Sequence, residues 1–163
     1  MRRSLREMKW RCCRPWPADS MGFLTRSPIQ VEELVNLVIA PDRGGIATFL
    51  GVVRDHHQGR AVTGLSYSAY EPMAEATCRE IVAEAESRWP VRVALLHRLG
   101  DLAIGEVAVA IAVAGDHRDE AFAACRHVIE ELKGRVPIWK REAYADGTEA
   151  WVDPTKQEAG NPS

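Results

Sequence analysis

The stretch HRDEAFAACRHVIEELKG, residues 117–134, has the clearest helical periodicity in the chain. Its apolar residues recur at intervals of three and four positions, so a helix would carry all of them on one side. These residues are Ala121, Phe122, Cys125, Val128, Ile129 and Leu132. We predict an amphipathic helix here, with Asp116 as its N-terminal cap and Gly134 at its end. Its apolar side requires a second layer to pack against.

The segments on either side of this helix predict further helices and short strands. Helices are predicted over 30–40 and 71–89, and strands rich in β-branched residues over 46–53, 62–69, 91–96 and 106–114. Residues 54–60 (RDHHQGR) predict a mobile loop and residues 100–105 a turn. Pro137-Ile138-Trp139 resembles the start of an edge strand, and Asp146-Gly147 predicts a terminal hairpin. The order of these elements favours an α+β fold over a regular βαβ repeat.

Length and charge limit the classes of protein to consider. The chain has 163 residues, 46% of them hydrophobic and 27% charged, which is typical of one globular domain with a core of its own. No apolar run reaches the roughly 20 residues of a membrane span. The net charge is −2, with +4 in residues 1–20 and −6 in the remainder. An acidic body argues against nucleic acid as the main partner, and we expect no membrane partner either.

Both ends of the chain are expected to lie outside the domain, which we place at residues 21–153. Residues 1–20 are Arg-rich and lack the apolar segment of about 7–15 residues that a secretory signal needs. Because Met21 offers another start, we interpret them as a disordered basic extension or a misassigned start, and residues 154–163 as a flexible tail. The cysteines, which show no zinc spacing, indicate a reducing compartment and hence the cytoplasm. They are Cys12, Cys13, Cys78 and Cys125.

Lys133 and Lys140 are the first candidates for a site that performs chemistry. Lys133 lies at the end of the predicted helix, and Lys140 follows the apolar Pro137-Ile138-Trp139. Apolar surroundings remove hydration from an ammonium group and favour a role as proton donor or amine nucleophile. The alternative is that both side chains extend to solvent along their aliphatic stems. Spacing alone leaves both interpretations open.

His117 and Arg118 are candidates for an anion site, because free backbone N–H groups at a helix start attract negative charge. The alternative is a solvated pair at a capped helix start, and Arg54, just after a strand, is equally ambiguous. Arg118 and Lys133 are 15 residues apart, which is about 22 Å along a helix at ~1.5 Å per residue. They cannot hold one small ligand from the same chain, so a shared site would require a homodimer.

Other polar motifs give weaker indications. His56-His57 could bind a metal, but without a nearby frame of ligands we expect both to be solvated, and we predict no metal site. His97-Arg98, at the end of a predicted strand, is interpreted as structural. The sequence contains no phosphate-binding glycine loop, nucleophile elbow or Cys-x-x-Cys motif.

Five strings, taken in order, resemble the molybdopterin synthase large-subunit (MoaE) family. They are GIATFLGVVR (45–54), GLSYSAYEPMAE (64–75), HRLGDLAIGE (97–106), HRDEAF (117–122) and LKGRVPIWKRE (132–142). The resemblance spans roughly residues 29–152. Each string alone is modest, but their order and the closing string with both lysines argue against chance similarity.

The resemblance implies an α+β fold of the α/β hammerhead type, with a mostly antiparallel sheet and packed helices. It implies a sulfurtransferase without a cofactor, which takes sulfur from the C-terminal thiocarboxylate of a small ubiquitin-like subunit. The acceptor is cyclic pyranopterin monophosphate, and two sulfur insertions build the dithiolene of molybdopterin. It also implies a heterotetramer, in which a central homodimer of large subunits binds a small subunit at each end.

By position, the resemblance assigns the family's essential lysines to Lys133 and Lys140. It assigns substrate-pocket positions to Phe49, Arg54, His117, Arg118 and Arg141. The His-Arg pair would enter the pocket from the neighbouring large subunit, which agrees with its separation along the helix. We expect Lys133 to orient the thiocarboxylate and stabilise charge at its carbonyl, and Lys140 to transfer protons. Ser68 departs from the family, where glutamate is common at this position.

Three alternatives remain open at this stage. A non-catalytic module could use the lysines to neutralise the C-terminus of a ubiquitin-like partner, and a Schiff-base enzyme could use one of them as a nucleophile. A cysteine persulfide carrier is less favoured, because Cys125 belongs to the apolar stripe. Lys156, in the tail, is a further candidate for contact with an anion.

Overall fold

The computed structural model describes residues 22–152, which form three helices and nine strands. The helices are α1 (Val31–Val38), α2 (Glu71–Arg88) and α3 (Arg118–Arg135). The strands are β1 (Leu24–Thr25), β2 (Gly45–Val52), β3 (His56–His57), β4 (Arg60–Ala69), β5 (Val91–Arg98), β6 (Gly100–Leu102), β7 (Val107–Gly115), β8 (Ile138–Tyr144) and β9 (Glu149–Val152). None of these three helices is both long and apolar enough to cross a membrane. The predictions for residues 1–20 and 154–163, with Cys12, Cys13 and Lys156, lie outside the described residues.

The first sheet has the strand order β1-β5-β7-β2 and carries helices on both faces. β1 is parallel to β5, and the other neighbours are antiparallel. Strand β7 (VAVAIAVAG) is buried along nearly its whole length, because both of its faces are covered. On one face, Ala110, Ala112 and Ala114 pack with Leu34 and Val38 of α1. These small side chains let α1 lie close to the sheet, while α2 and α3 cover the opposite face.

The second sheet has the order β3-β4-β8-β9, and β6 also pairs with β4. All of its pairings are antiparallel. A small core of Val53, Leu65, Leu102 and Ala108 joins it to the first sheet. The predicted α+β fold with mostly antiparallel strands and packed helices is thereby confirmed, as is the terminal hairpin at Asp146-Gly147.

Residues 54–60 contain a hairpin where the sequence predicted a loop. Strand β3 pairs with the beginning of β4. Between them, Gln58 and Gly59 have φ angles of 49° and 75°, and two positive φ angles are what a two-residue hairpin turn of this type requires. Gln-Gly is a weaker signal for this turn than Asn-Gly, so the prediction missed it. Residues 100–102 likewise form a strand in place of the predicted turn, because β4 offers them a pairing partner.

The C-terminal end of α3 extends beyond the predicted stop at Gly134. Arg135 in the last turn is held by ion pairs, to Glu84 of α2 at 2.7 Å and to Glu131 of its own helix at 3.0 Å. Strand β8 follows almost at once and lies between β4 and β9. It is therefore an interior strand and not the edge strand that Pro137 suggested.

The N-terminal end of α3 is fixed by close backbone contact and not by the predicted Asp116 cap. His117 is the N-cap and forms no capping hydrogen bond through its side chain, while Asp116 accepts a hydrogen bond from Arg43 at 2.5 Å. A Cβ atom on Gly44 would lie 2.6 Å from the backbone oxygen of Asp116, and one on Gly45 would also touch the start of α3. The two glycines therefore let the beginning of β2 lie directly against the beginning of α3.

Gly44→Ala is expected to destabilise the protein by about 1–3 kcal/mol, because the added methyl group would have to displace backbone. Gly134→Ala is the matched control, since a Cβ atom there meets nothing within 4 Å, and alanine in a helix is favoured over glycine by about 1 kcal/mol. Urea unfolding measures both free energies. Equal midpoints for Gly44→Ala and the wild type would contradict the close approach.

Candidate active site

A cavity of about 320 Å³ lies where the two sheets meet the C-terminal end of α3. Strands β2, β4, β5, β7 and β8 all contribute to its lining. Its polar and aromatic lining residues are Phe49, Arg54, His56, Tyr67, His97, Lys133, Lys140 and Glu142. The structure therefore brings together four of the residues that the resemblance assigned to catalytic or substrate-pocket positions: Phe49, Arg54, Lys133 and Lys140.

The short connection between α3 and β8 brings the two lysines to the same cavity. Lys133 lies in the last turn of α3, and Lys140 is near the start of β8. Val136 between them is buried, and the backbone N–H of Ile138 donates a hydrogen bond to its carbonyl at 2.8 Å. This tight turn fixes the helix end and the strand start relative to each other.

Lys133 and Arg54 are unpaired cations of the cavity. Both residues are exposed, and neither forms a hydrogen bond or an ion pair with another residue in the range 22–152. Positive charge that the protein does not neutralise attracts anions. The two groups can therefore bind a carboxylate-like or phosphate group that enters the cavity.

Lys140 is held in a different environment. Its side chain is 11% exposed, and Nζ lies 2.8 Å from Oε1 of Glu142. The two residues are two positions apart and share a face of β8, whereas Trp139 points to the other side. The sequence suggested apolar surroundings for this ammonium group, but the structure also places polar groups around it. They include a carboxylate that fixes its position.

Glu142, which the sequence analysis missed, is the centre of a buried hydrogen-bond network. Its side chain is 3% exposed, and Oε2 accepts hydrogen bonds from the Tyr144 hydroxyl at 2.9 Å and from Nδ1 of His57 at 2.7 Å. Burial raises the pKa of Glu142, but hydrogen bonds from Lys140, Tyr144 and His57 outweigh it and hold the pKa below its usual value. The carboxylate therefore stays charged, and His57 is not the solvated residue that the sequence suggested.

His97 and Tyr67 form an uncharged polar wall of the cavity. Their rings meet edge to face, with 5.0 Å between centroids. Burial lowers the pKa of His97 to about 4, against the opposing effect of its hydrogen bond to the carbonyl of Arg98. Burial, and to a smaller extent Glu142, raises the pKa of Tyr67 to about 12. Both rings are therefore neutral near pH 7, and His97 contributes to the cavity besides the structural role expected from the sequence.

His117 and Arg118 do not reach this cavity within their own chain. The Arg118 side chain is 84% exposed and lies at the opposite end of α3 from Lys133. Because α3 is continuous over this distance, the separation of about 22 Å from helix geometry applies. A single chain cannot place both ends of α3 around one small molecule.

Arg141, to which the sequence analysis gave a pocket position, also lies outside the cavity. It is next to Lys140 in sequence, but successive residues of a strand point to opposite faces. Its guanidinium contacts Glu149 at 3.2 Å and lies 5.8 Å from the centroid of the Trp151 ring. Within this chain Arg141 therefore lies on the other face of the second sheet, away from the cavity that Lys133 and Lys140 share.

The part of the chain between residues 22 and 152 offers neither a metal site nor a reactive thiol. No group of three or more His, Cys, Asp or Glu side chains in this range is placed to hold a metal ion. Cys78 and Cys125 are buried in the main core, as the helical spacing predicted. Burial raises the pKa of Cys78 to about 12 and that of Cys125 to about 11. Neither thiol is suited to carry sulfur as a thiolate.

Comparisons with known proteins point to one family. The family model described as MoaE protein matches residues 24–135. The chain is 48% identical over 130 residues to molybdopterin synthase catalytic subunit 1 of Mycobacterium tuberculosis, a match that covers 79% of this chain and 88% of that one. The crystal structure of molybdopterin synthase from Staphylococcus aureus is similar with a TM-score of 0.77 and 37% identity, over 80% of this chain and 96% of that one.

A solved complex of subunits 1 and 2 of molybdopterin-converting factor from Helicobacter pylori shares the fold. Its TM-score is 0.66 at 23% identity, over 79% of this chain and 88% of that one. The match to the family model, together with the identity to the Mycobacterium tuberculosis protein over most of both chains, decides the family. The chain belongs to the MoaE family of molybdopterin synthase catalytic subunits.

Proposed function

We propose that the chain is the catalytic subunit of a molybdopterin synthase. It transfers sulfur from the C-terminal thiocarboxylate of a small ubiquitin-like subunit to cyclic pyranopterin monophosphate and so forms the dithiolene of molybdopterin. The observation that carries this proposal is the convergence of Lys133 and Lys140 on one cavity, with Arg54 as a third cation. Sulfur donor and acceptor are both anions, and a cavity lined by three cations and one carboxylate suits them.

Lys133 is the proposed site for the thiocarboxylate of the small subunit. Its ammonium group has no partner within the described residues, so binding an anion breaks no existing contact. Its exposed position lets a flexible C-terminal tail reach it from outside. Water adds to the carbonyl carbon and the carbon–sulfur bond then breaks, which leaves a carboxylate on the small subunit. The ammonium group stabilises the negative charge that develops at the carbonyl oxygen when water adds.

Lys140 is the proposed proton-transfer group, which acts as sulfur replaces oxygen on the pterin side chain. The 2.8 Å contact with Glu142 keeps its nitrogen at the cavity wall, so little reorganisation is needed when a proton moves. Phe49 offers an aromatic surface to the pterin ring, and Arg54 offers its guanidinium to the phosphate. In this proposal Lys133 binds the sulfur donor, and Lys140 transfers protons to or from the acceptor.

A second copy of the chain is proposed to complete the cavity with His117 and Arg118. Strand β2 runs beside α3: a Cβ atom on Gly45 would lie 3.3 Å from Cα of Arg118, and the other end of β2 leads into Arg54 at the cavity. The eight residues of β2 span about 23 Å at ~3.3 Å per step. This length nearly equals the separation of Arg118 and Lys133 along α3.

Strand β2 is also an edge strand of the first sheet, and its outer edge pairs with no other strand of the described residues. Antiparallel pairing of two β2 strands around a two-fold axis would exchange their ends. Each cavity would then receive the start of α3 from the other copy. Ile46, Leu50 and Val52, which are 42%, 40% and 51% exposed, would form one apolar surface with the same set of residues of the second copy in this arrangement.

The cytoplasm is the proposed location, since buried free thiols such as Cys78 and Cys125 are typical of a reducing compartment. The heterotetramer follows if each large subunit of the dimer binds one small subunit at its own cavity.

The proposed activity is tested by mixing the chain with the thiocarboxylated small subunit and cyclic pyranopterin monophosphate. We expect dithiolene product and conversion of the thiocarboxylate to a carboxylate, both followed by mass spectrometry. A small subunit with an ordinary C-terminal carboxylate is the control and should give no product. Binding without product would favour a non-catalytic module, and a borohydride-stable adduct on Lys133 or Lys140 would favour a Schiff-base enzyme.

A further inference from the structure

We propose that His57 is a positioning residue, which acts through Glu142 to hold Lys140 in the orientation needed for proton transfer. This inference rests on the proposed function of Lys140. His57 lies beside the cavity but does not line it. Its effect on the reaction is therefore exerted through the carboxylate and not by contact with the substrate.

The two carboxylate oxygens of Glu142 have different partners: Oε2 binds His57 and Tyr144, and Oε1 binds Lys140. A charged carboxylate only accepts hydrogen bonds, so Nδ1 of His57 is the donor in the 2.7 Å contact with Oε2. Tyr144 donates to the same oxygen at 2.9 Å. Burial raises the pKa of Tyr144, its hydrogen bond to Glu142 raises it further, and the hydroxyl stays a donor. Oε1 is left for Lys140 at 2.8 Å.

The hairpin of β3 and β4 places His57 for this contact. His57 and Arg60 are directly paired next to the turn, and residues paired in this way project from the same face. The guanidinium of Arg60 lies 3.6 Å from the centroid of the Tyr144 ring, while His57 binds Glu142. Both residues of the pair therefore pack against the same stretch of β8, and the turn with two positive φ angles sets their direction.

Loss of His57 would leave Glu142 with one donor fewer on Oε2. At 3% exposure the carboxylate cannot readily replace that donor with bulk water. Oε2 would then be held by Tyr144 alone, the carboxylate would be free to change its angle, and Lys140 would lose its fixed orientation. Because the substrate contacts themselves are untouched, the rate of the chemical step should fall while precursor binding is retained.

His57→Ala is expected to lower kcat for sulfur transfer about tenfold, with little change in KM for the precursor. His57→Asn is the conservative variant, because its amide nitrogen can take the place of Nδ1 and donate to Glu142, and it should recover most of the rate. Gln58→Asn replaces a residue of the same hairpin with one that also favours the positive φ angle of this turn, so it keeps the contact and should keep the wild-type rate. Equal losses in the Ala and Asn variants, or an increase in KM alone, would overturn the proposal.

Amine acylation followed by mass spectrometry tests the positioning role without any substrate. The extent of labelling at Lys140 is divided by that at Lys133 in the same sample, which cancels differences in reagent. We expect a several-fold higher ratio in His57→Ala, because a loosened Glu142 protects Lys140 less, and a ratio near wild type in His57→Asn. An unchanged ratio in His57→Ala would overturn the proposal. If the wild-type chain transferred no sulfur, the proposed function would fail while this ratio still decided the role of His57.

Discussion

Lys133→Ala is expected to lower the rate of sulfur transfer at least ~100-fold, the size of effect seen when a group that stabilises developing charge is removed. The protein should remain folded, because the Lys133 side chain has no hydrogen-bond or ion-pair partner within residues 22–152. The measurements are the initial rate of dithiolene formation with the thiocarboxylated small subunit, and the thermal unfolding curve of the variant. A loss of rate with an unchanged unfolding curve is the predicted result.

Arg126→Ala is the matched control for Lys133→Ala. Arg126 lies on the same helix but outside the cavity, where it pairs with Glu130 at 2.8 Å. Its removal takes one cation from an exposed helix surface and should leave the rate unchanged. Near-normal turnover in Lys133→Ala would exclude this lysine from the proposed role, whereas unfolding of the variant would show that the side chain is structural.

Hybrid dimers are expected to recover activity that neither parent has. One chain carries His117→Ala and Arg118→Ala, the other carries Lys133→Ala, and different affinity tags allow the hybrid to be isolated after co-expression. If the His-Arg pair enters the cavity of the other copy, one cavity of each hybrid contains only wild-type groups. The hybrid should then have about half the wild-type rate per dimer, measured in the same dithiolene assay.

A hybrid of Lys133→Ala and Lys140→Ala chains is the control for this experiment. Both lysines line the same cavity of one chain, so each cavity of the hybrid lacks one of them and the hybrid should stay inactive. Activity in this control would mean that the lysines act from different subunits. No recovery in the first hybrid would contradict the exchange of helix ends between subunits.

Hydrophobic periodicity predicted those helices and strands whose apolar pattern lies within one continuous stretch of sequence. The apolar stripe of α3 and the continuous apolar run of β7 are both of this kind, and both form the predicted elements. Strands β3 and β6 have only two and three residues. They exist because β4 pairs with them, and a short window of sequence contains no record of that pairing.

The sequence predicted the cations of the candidate site, but it did not predict Glu142 and His57, the residues whose contacts position Lys140. Lys133 and Lys140 stand out because few residues and one tight turn separate them. Glu142 and His57 are 85 residues apart, and their contact depends on a hairpin whose turn was not recognised. Arg141 is next to Lys140 in sequence but lies outside the cavity of this chain, because successive residues of a strand point to opposite faces.

In the proposed dimer, the rigid length of α3 would make the activity depend on assembly. If both ends of the helix are needed at one cavity, as proposed, a single straight helix cannot supply them, and a newly made chain would be inactive until it pairs with a second copy. Turnover per chain would therefore rise with protein concentration and fall on dilution. The precursor would then be converted only by assembled dimers and not by single chains.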